Sequence, residues 1–125
     1  MRSSRVALMT VRATGLLLIV LGALFWAGRA RSLIPVHMLL GLILVLALWM
    51  LGVQAARAGA GTGFVLFTAA WGLAVLVLGL VQTRIAPGAL HWTIQALHLV
   101  VGLVAMGLAE GLARRIRVAR SAASA

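Results

Sequence analysis

Two stretches of this chain, His37-Met-Leu-Leu-Gly41-Leu and His98-Leu-Val-Val-Gly102-Leu, place an imidazole inside an apolar run with a glycine one helical turn later, and they stand 61 positions apart. An ionisable side chain within a membrane helix is costly and faces the bundle interior for a reason. Two neutral imidazoles opposed across a narrow bundle suit axial ligation of a haem iron. Each ring offers one nitrogen to the metal and needs an acceptor for the other. Glycine at i+4 lies on the same helix face as the histidine, so Gly41 and Gly102 are expected to let a flat macrocycle lie against the backbone. One haem b held by His37 and His98 is the resulting expectation. Its propionates would want cations, and Arg29, Arg31 and Arg84 sit in the connections near the histidine ends. Phe25, Trp26 and Trp92 fall at the same level, as interfacial anchors or as walls of the haem edge.

Other readings of these residues stand beside that one. His37, two residues past Pro35, would also suit an interfacial hydrogen bond. His98 would suit a structural bond to a neighbouring helix. His91 lies seven residues before His98 on the same helix face, as an interface residue or as an alternative ligand. Met38 and Met106 offer weak sulfur ligands but commonly fill space. Glu110, the one acid of the chain, is expected to pair with Arg114 at i+4.

The elements that must position these residues are set by composition. Of 125 residues 64% are hydrophobic and 10% charged, with mean hydropathy +1.17. A soluble domain is about a quarter charged, so this composition is that of an integral membrane protein. There is no cysteine, which excludes disulfides, thiolate metal sites, covalently attached haem and iron–sulfur clusters. All eleven basic residues are arginine and the net charge is +10. The arginines flank the apolar runs rather than forming one basic face, so no nucleic-acid partner is expected.

Four apolar segments approach the ~20 residues that span a bilayer, at about 6–27, 35–53, 63–81 and 90–113. Short connections make neighbours antiparallel. The expected fold is all-α: an integral membrane four-helix up-down bundle over residues 1–113, followed by a basic cytoplasmic tail at 114–125, amphipathic or disordered. With the N-terminus inside, the inner side carries Arg2, Arg5, Arg12, Arg57, Arg114, Arg115, Arg117 and Arg120, against Arg29, Arg31 and Arg84 outside. That asymmetry predicts N-in, C-in, in a bacterial or archaeal inner membrane, with a first helix that is retained rather than cleaved as a signal.

The chain also repeats. Gly15-Leu-Leu-Leu-Ile-Val-Leu-Gly22 aligns with Gly72-Leu-Ala-Val-Leu-Val-Leu-Gly79 at an offset of 57, and the histidine stretches align at 61. Two tandem helical hairpins follow, related by an axis along the membrane normal. The second and fourth helices then sit diagonally, with His37 and His98 at one depth on opposite walls of a cavity.

At this point the pattern resembles haem A synthase and its relatives, whose four-helix membrane bundles carry a haem-ligating histidine near the outer end of the second and fourth helices. Residues 73–112, with Leu-Gly-Leu-Val-Gln82 and Gln95-Ala-Leu-His98-Leu, look like the third and fourth helices of one such bundle. The resemblance spans roughly residues 10–113 and implies His37 and His98 as axial ligands. The family has two bundles in one chain, and an acid about one turn before its first histidine. Here there is one bundle, and that position is Ile34. The resemblance therefore implies a minimal membrane cytochrome b, an electron carrier serving quinol or a membrane redox partner, rather than an enzyme that oxidises haem. A cofactor-free assembly subunit and a small transporter are the competing expectations. Glycine-rich outward faces would allow a homodimer.

Overall fold

The computed structural model describes residues 2–85 and 88–123. The described residues form four α-helices: α1 Arg2–Trp26, α2 Ile34–Arg57, α3 Thr62–Val81 and α4 His91–Ala123. Single 3₁₀ turns at Arg31–Leu33 and Gln82–Arg84 precede α2 and follow α3. Each helix is long and apolar enough to cross a membrane. Apolar surroundings force every backbone polar group to be satisfied within the segment, and a helix does this without a partner.

The chain leaves α1 and α2 by the same device. Arg29 N–H donates to Leu24 O at 2.8 Å and Gly28 N–H to Phe25 O at 2.9 Å. At the end of α2, Ala60 N–H donates to Ala55 O and Gly59 N–H to Ala56 O. Both are Schellman closures, which need a left-handed residue just past the helix. Gly28 and Gly59 supply it, each at φ +73°. Pro35 stands in the first turn of α2, where its missing N–H leaves nothing unsatisfied.

Contacts at both ends show that consecutive helices run antiparallel. Ser3 meets Gln54 at one end of α1 and α2, and Gly22 meets His37 at the other. Phe64 lies against Gly111 at one end of α3 and α4, and Gly79 against His98 at the other. α1 and α3 each pack against both α2 and α4, and α2 touches α4 across the diagonal. Two indole N–H groups tie backbones together: Trp49 to Ala69 O at 3.1 Å and Trp71 to Val101 O at 3.0 Å.

Sequence expectation and structure differ in two places. α1 begins at Arg2, and α4 runs unbroken to Ala123, so the basic tail is a helical continuation as far as it is described. Hydropathy ends a span at the arginines, whereas arginine and alanine are good helix formers. At 33 residues α4 is about 50 Å long, well beyond the ~30 Å of a hydrocarbon core. Glu110 also pairs elsewhere than expected. Its carboxylate accepts from Arg12 Nε at 2.6 Å, not from Arg114, because α1 packs beside α4 and brings a guanidinium closer than the next turn does.

The core is confined to one half of the bundle. Every buried residue described lies within 7–15, 44–60, 68–75 or 105–116. That half contains the start of α1, the end of α4 and the α2–α3 connection. Among the described residues of 16–43 and 76–104, none is buried. The half that holds the histidines therefore has no closed core of its own.

Candidate functional site

The open half is organised around His37 on α2 and His98 on α4. Their rings face each other across the diagonal, with centroids 6.3 Å apart and planes at 47°. Both are half-buried. Phe25 of α1 packs on His37 with centroids 5.4 Å apart. The Trp71–Val101 bond falls three residues past His98, about one turn below it, and holds α3 and α4 together at that depth.

Each imidazole has a buried Nδ1 with no hydrogen-bond partner. A buried polar atom left unpaired costs about 1–3 kcal/mol, so each ring presents a nitrogen that the described protein atoms do not satisfy. His91 shares that property, but no ring contact brings it to either of the other two among the described residues. The pairing, not the orphaned nitrogen, sets His37 and His98 apart.

The glycines that approach the rings come from the neighbouring helices. A Cβ built on Gly41 or Gly102 would meet nothing within 4 Å. A Cβ on Gly22 of α1 would lie 4.0 Å from His37 Cε1, and one on Gly79 of α3 would lie 3.4 Å from His98 Cε1. Sequence reading singled out Gly22 and Gly79 only as ends of the repeated Gly-x₆-Gly element. That repeat was the available signal.

The same repeat governs the next layer. Gly15, buried, faces Met106 of α4, and Gly72, buried, faces Val45 and Trp49 of α2. Gly15 and Gly72 match at the offset of 57, and Val45 and Met106 match at 61. Both layers thus relate the two hairpins by the correspondence read from the sequence.

Arg29, Arg31 and Arg84 are exposed at the histidine end. The chain's single acid, Glu110, lies at the opposite end and is engaged by Arg12, so no aspartate or glutamate balances these three. Trp26 and Trp92 are exposed at the same level. Among the described residues, no group of three or more His, Cys, Asp or Glu side chains could hold a metal ion. Any metal centre built on these histidines must bring other ligands with it.

Fold and site together define an all-α bundle of four apolar helices with two histidines opposed in the half that has no buried residue among those described. Comparison with known proteins finds no matching family model, no similar curated protein and no similar solved structure.

The close approach of Gly79 to His98 gives a graded test. Gly79→Ala places its methyl at an ordinary contact distance and is expected to leave the His98 ring where it is. Gly79→Leu fills the ring's position and is expected to displace it. The chemical shifts of the His98 imidazole, compared between the two variants and wild type, measure the difference.

Proposed function

We propose that this chain is a membrane-embedded b-type haem protein, with His37 and His98 as the two axial ligands, and that it carries electrons. The observation that carries the reading is the ring pair. The two rings oppose each other across the diagonal with centroids 6.3 Å apart, and each has a buried Nδ1 without a protein partner, so the two imidazoles would be the residues that hold the group. A porphyrin supplies the four ligands that the protein lacks, so two histidines suffice.

The surroundings fit the same group. Gly22 and Gly79 keep side chains away from the imidazoles, and Phe25 walls one of them. Arg29, Arg31 and Arg84 supply uncompensated cations for carboxylates at the exposed edge. The arginine asymmetry and the four apolar helices support insertion in an inner membrane with both termini inside.

When bound, haem supplies a one-electron couple. Were both histidines to ligate the iron, electron transfer would be favoured over oxygen activation. The chain's residues would then hold the group and set its depth near the outer surface, within reach of a quinol or membrane redox partner.

Absorption spectra before and after dithionite test the reading. A low-spin, six-coordinate b-type spectrum is expected from protein purified out of haem-replete membranes. A colourless preparation under those conditions overturns it in favour of a cofactor-free subunit whose open half is filled by lipid chains.

A further inference from the structure

The opposite end of the bundle carries a second built feature. Between the start of α1 and the last turns of α4 lies a groove of about 640 Å³. Its walls bring together Arg5 and Arg12 from α1 with Arg117 and Arg120 from α4, over an apolar floor that includes Leu8 and Ile116. Leu8 and Ile116 are buried. Arg12 is neutralised by Glu110. Glu110 is the chain's one acid and also interacts electrostatically with Arg117, so Arg5, Arg12, Arg117 and Arg120 converge on the groove with one carboxylate side chain among four guanidiniums. The excess of arginine on the cytoplasmic side accounts for which end they occupy. It does not account for their gathering around one groove, because Arg2, Arg57, Arg114 and Arg115 at the same end do not line it. Arg115 instead stacks on Phe64, 4.2 Å from the ring centroid.

We propose that this groove binds the head group of an anionic phospholipid of the inner leaflet. Unbalanced guanidiniums match a phosphate diester, which they can grip through paired N–H donors. The apolar floor matches the glycerol and first methylenes, which a free anion lacks. Basic pockets between membrane helices at the cytoplasmic surface suit such head groups. The site is separate from the histidine pair and does not depend on haem.

The test uses the full-length protein in neutral detergent and in nanodiscs, with native mass spectrometry counting bound lipid. Phosphatidylglycerol is titrated against phosphatidylcholine. Wild type is expected to retain one phosphatidylglycerol in preference to phosphatidylcholine. Each nearby arginine contributes roughly a five-fold factor, so Arg117→Gln/Arg120→Gln is expected to weaken retention about thirty-fold and Arg5→Gln about five-fold. The charge-matched pair Arg57→Gln/Arg114→Gln, outside the groove, should change it less than about two-fold. Circular dichroism confirms that each variant is folded. Equal losses from both double variants would replace the site with a diffuse surface potential. Absence of any preference between the two lipids overturns the proposal, as does full displacement by millimolar inorganic phosphate, which would make the ligand a free anion.

Discussion

If the proposed haem ligation holds, replacing either His37 or His98 by alanine is expected to abolish the low-spin b-type spectrum, and replacing His91 to leave it intact. This is the largest effect expected of any single substitution in the chain. Disturbing residues that merely orient a metal ligand costs about 10–100-fold in affinity, and removing the ligand itself should cost more. Haem content of either variant is therefore expected to fall to a few per cent of wild type or lower, or to persist as a five-coordinate high-spin form held by the remaining histidine. The contrast with His91 is the sharper part. All three histidines have an unpartnered buried Nδ1, so a spectrum that depended on buried imidazole alone would respond to all three. Only His37 and His98 oppose each other at 6.3 Å. A spectrum lost on His91→Ala and retained on His37→Ala would move the iron away from the diagonal and sink the assignment.

The extent to which this was legible in the sequence follows from the range of each interaction. Four helices, their order and their connections follow from local hydropathy and from glycines that close turns. The pairing of His37 with His98 was reachable because the internal repeat transmits a long-range relation through a local pattern. Gly22 and Gly79 illustrate the limit. The i+4 rule finds neighbours on one helix, but the residues that close on an imidazole in a bundle come from the next helix, and their register depends on how two surfaces interlock. Gly22 and Gly79 belong to that class. Glu110 fails for the same reason: Arg114 is its neighbour along α4, while Arg12 is its neighbour across the bundle. The confinement of buried residues to one half was invisible too, since Leu, Val and Ile recur through both halves and composition does not reveal which of them enclose a core.

Gly72→Ala is expected to destabilise the bundle by about 2 kcal/mol, and Gly15→Ala is expected to be nearly neutral, although the two glycines are partners in the repeat. In both, alanine is the better helix former by up to about 1 kcal/mol, so the difference must come from what the new methyl meets. At Gly15 it would lie 2.5 Å from Met106 Sδ and 2.7 Å from its terminal methyl. Those are the far atoms of a flexible thioether chain that readily finds another rotamer. At Gly72 it would lie 2.6 Å from Trp49 Nε1 and 3.2 Å from Val45 Cγ1. Val45 is fully buried, and the indole is fixed by its hydrogen bond to Ala69 O. Moving the indole breaks that bond, worth about 1 kcal/mol, and leaving it in place overpacks the helix contact at about 1–3 kcal/mol. Either route exceeds the gain in helix propensity. Thermal unfolding in detergent, with tryptophan emission as a second probe, measures both effects. A red-shifted indole emission should accompany Gly72→Ala alone, because only that change displaces a tryptophan. If the two substitutions cost the same, the rigidity of Trp49 is not what holds α2 against α3. The layer beneath the histidines would then be held by the helix backbones rather than by that side chain.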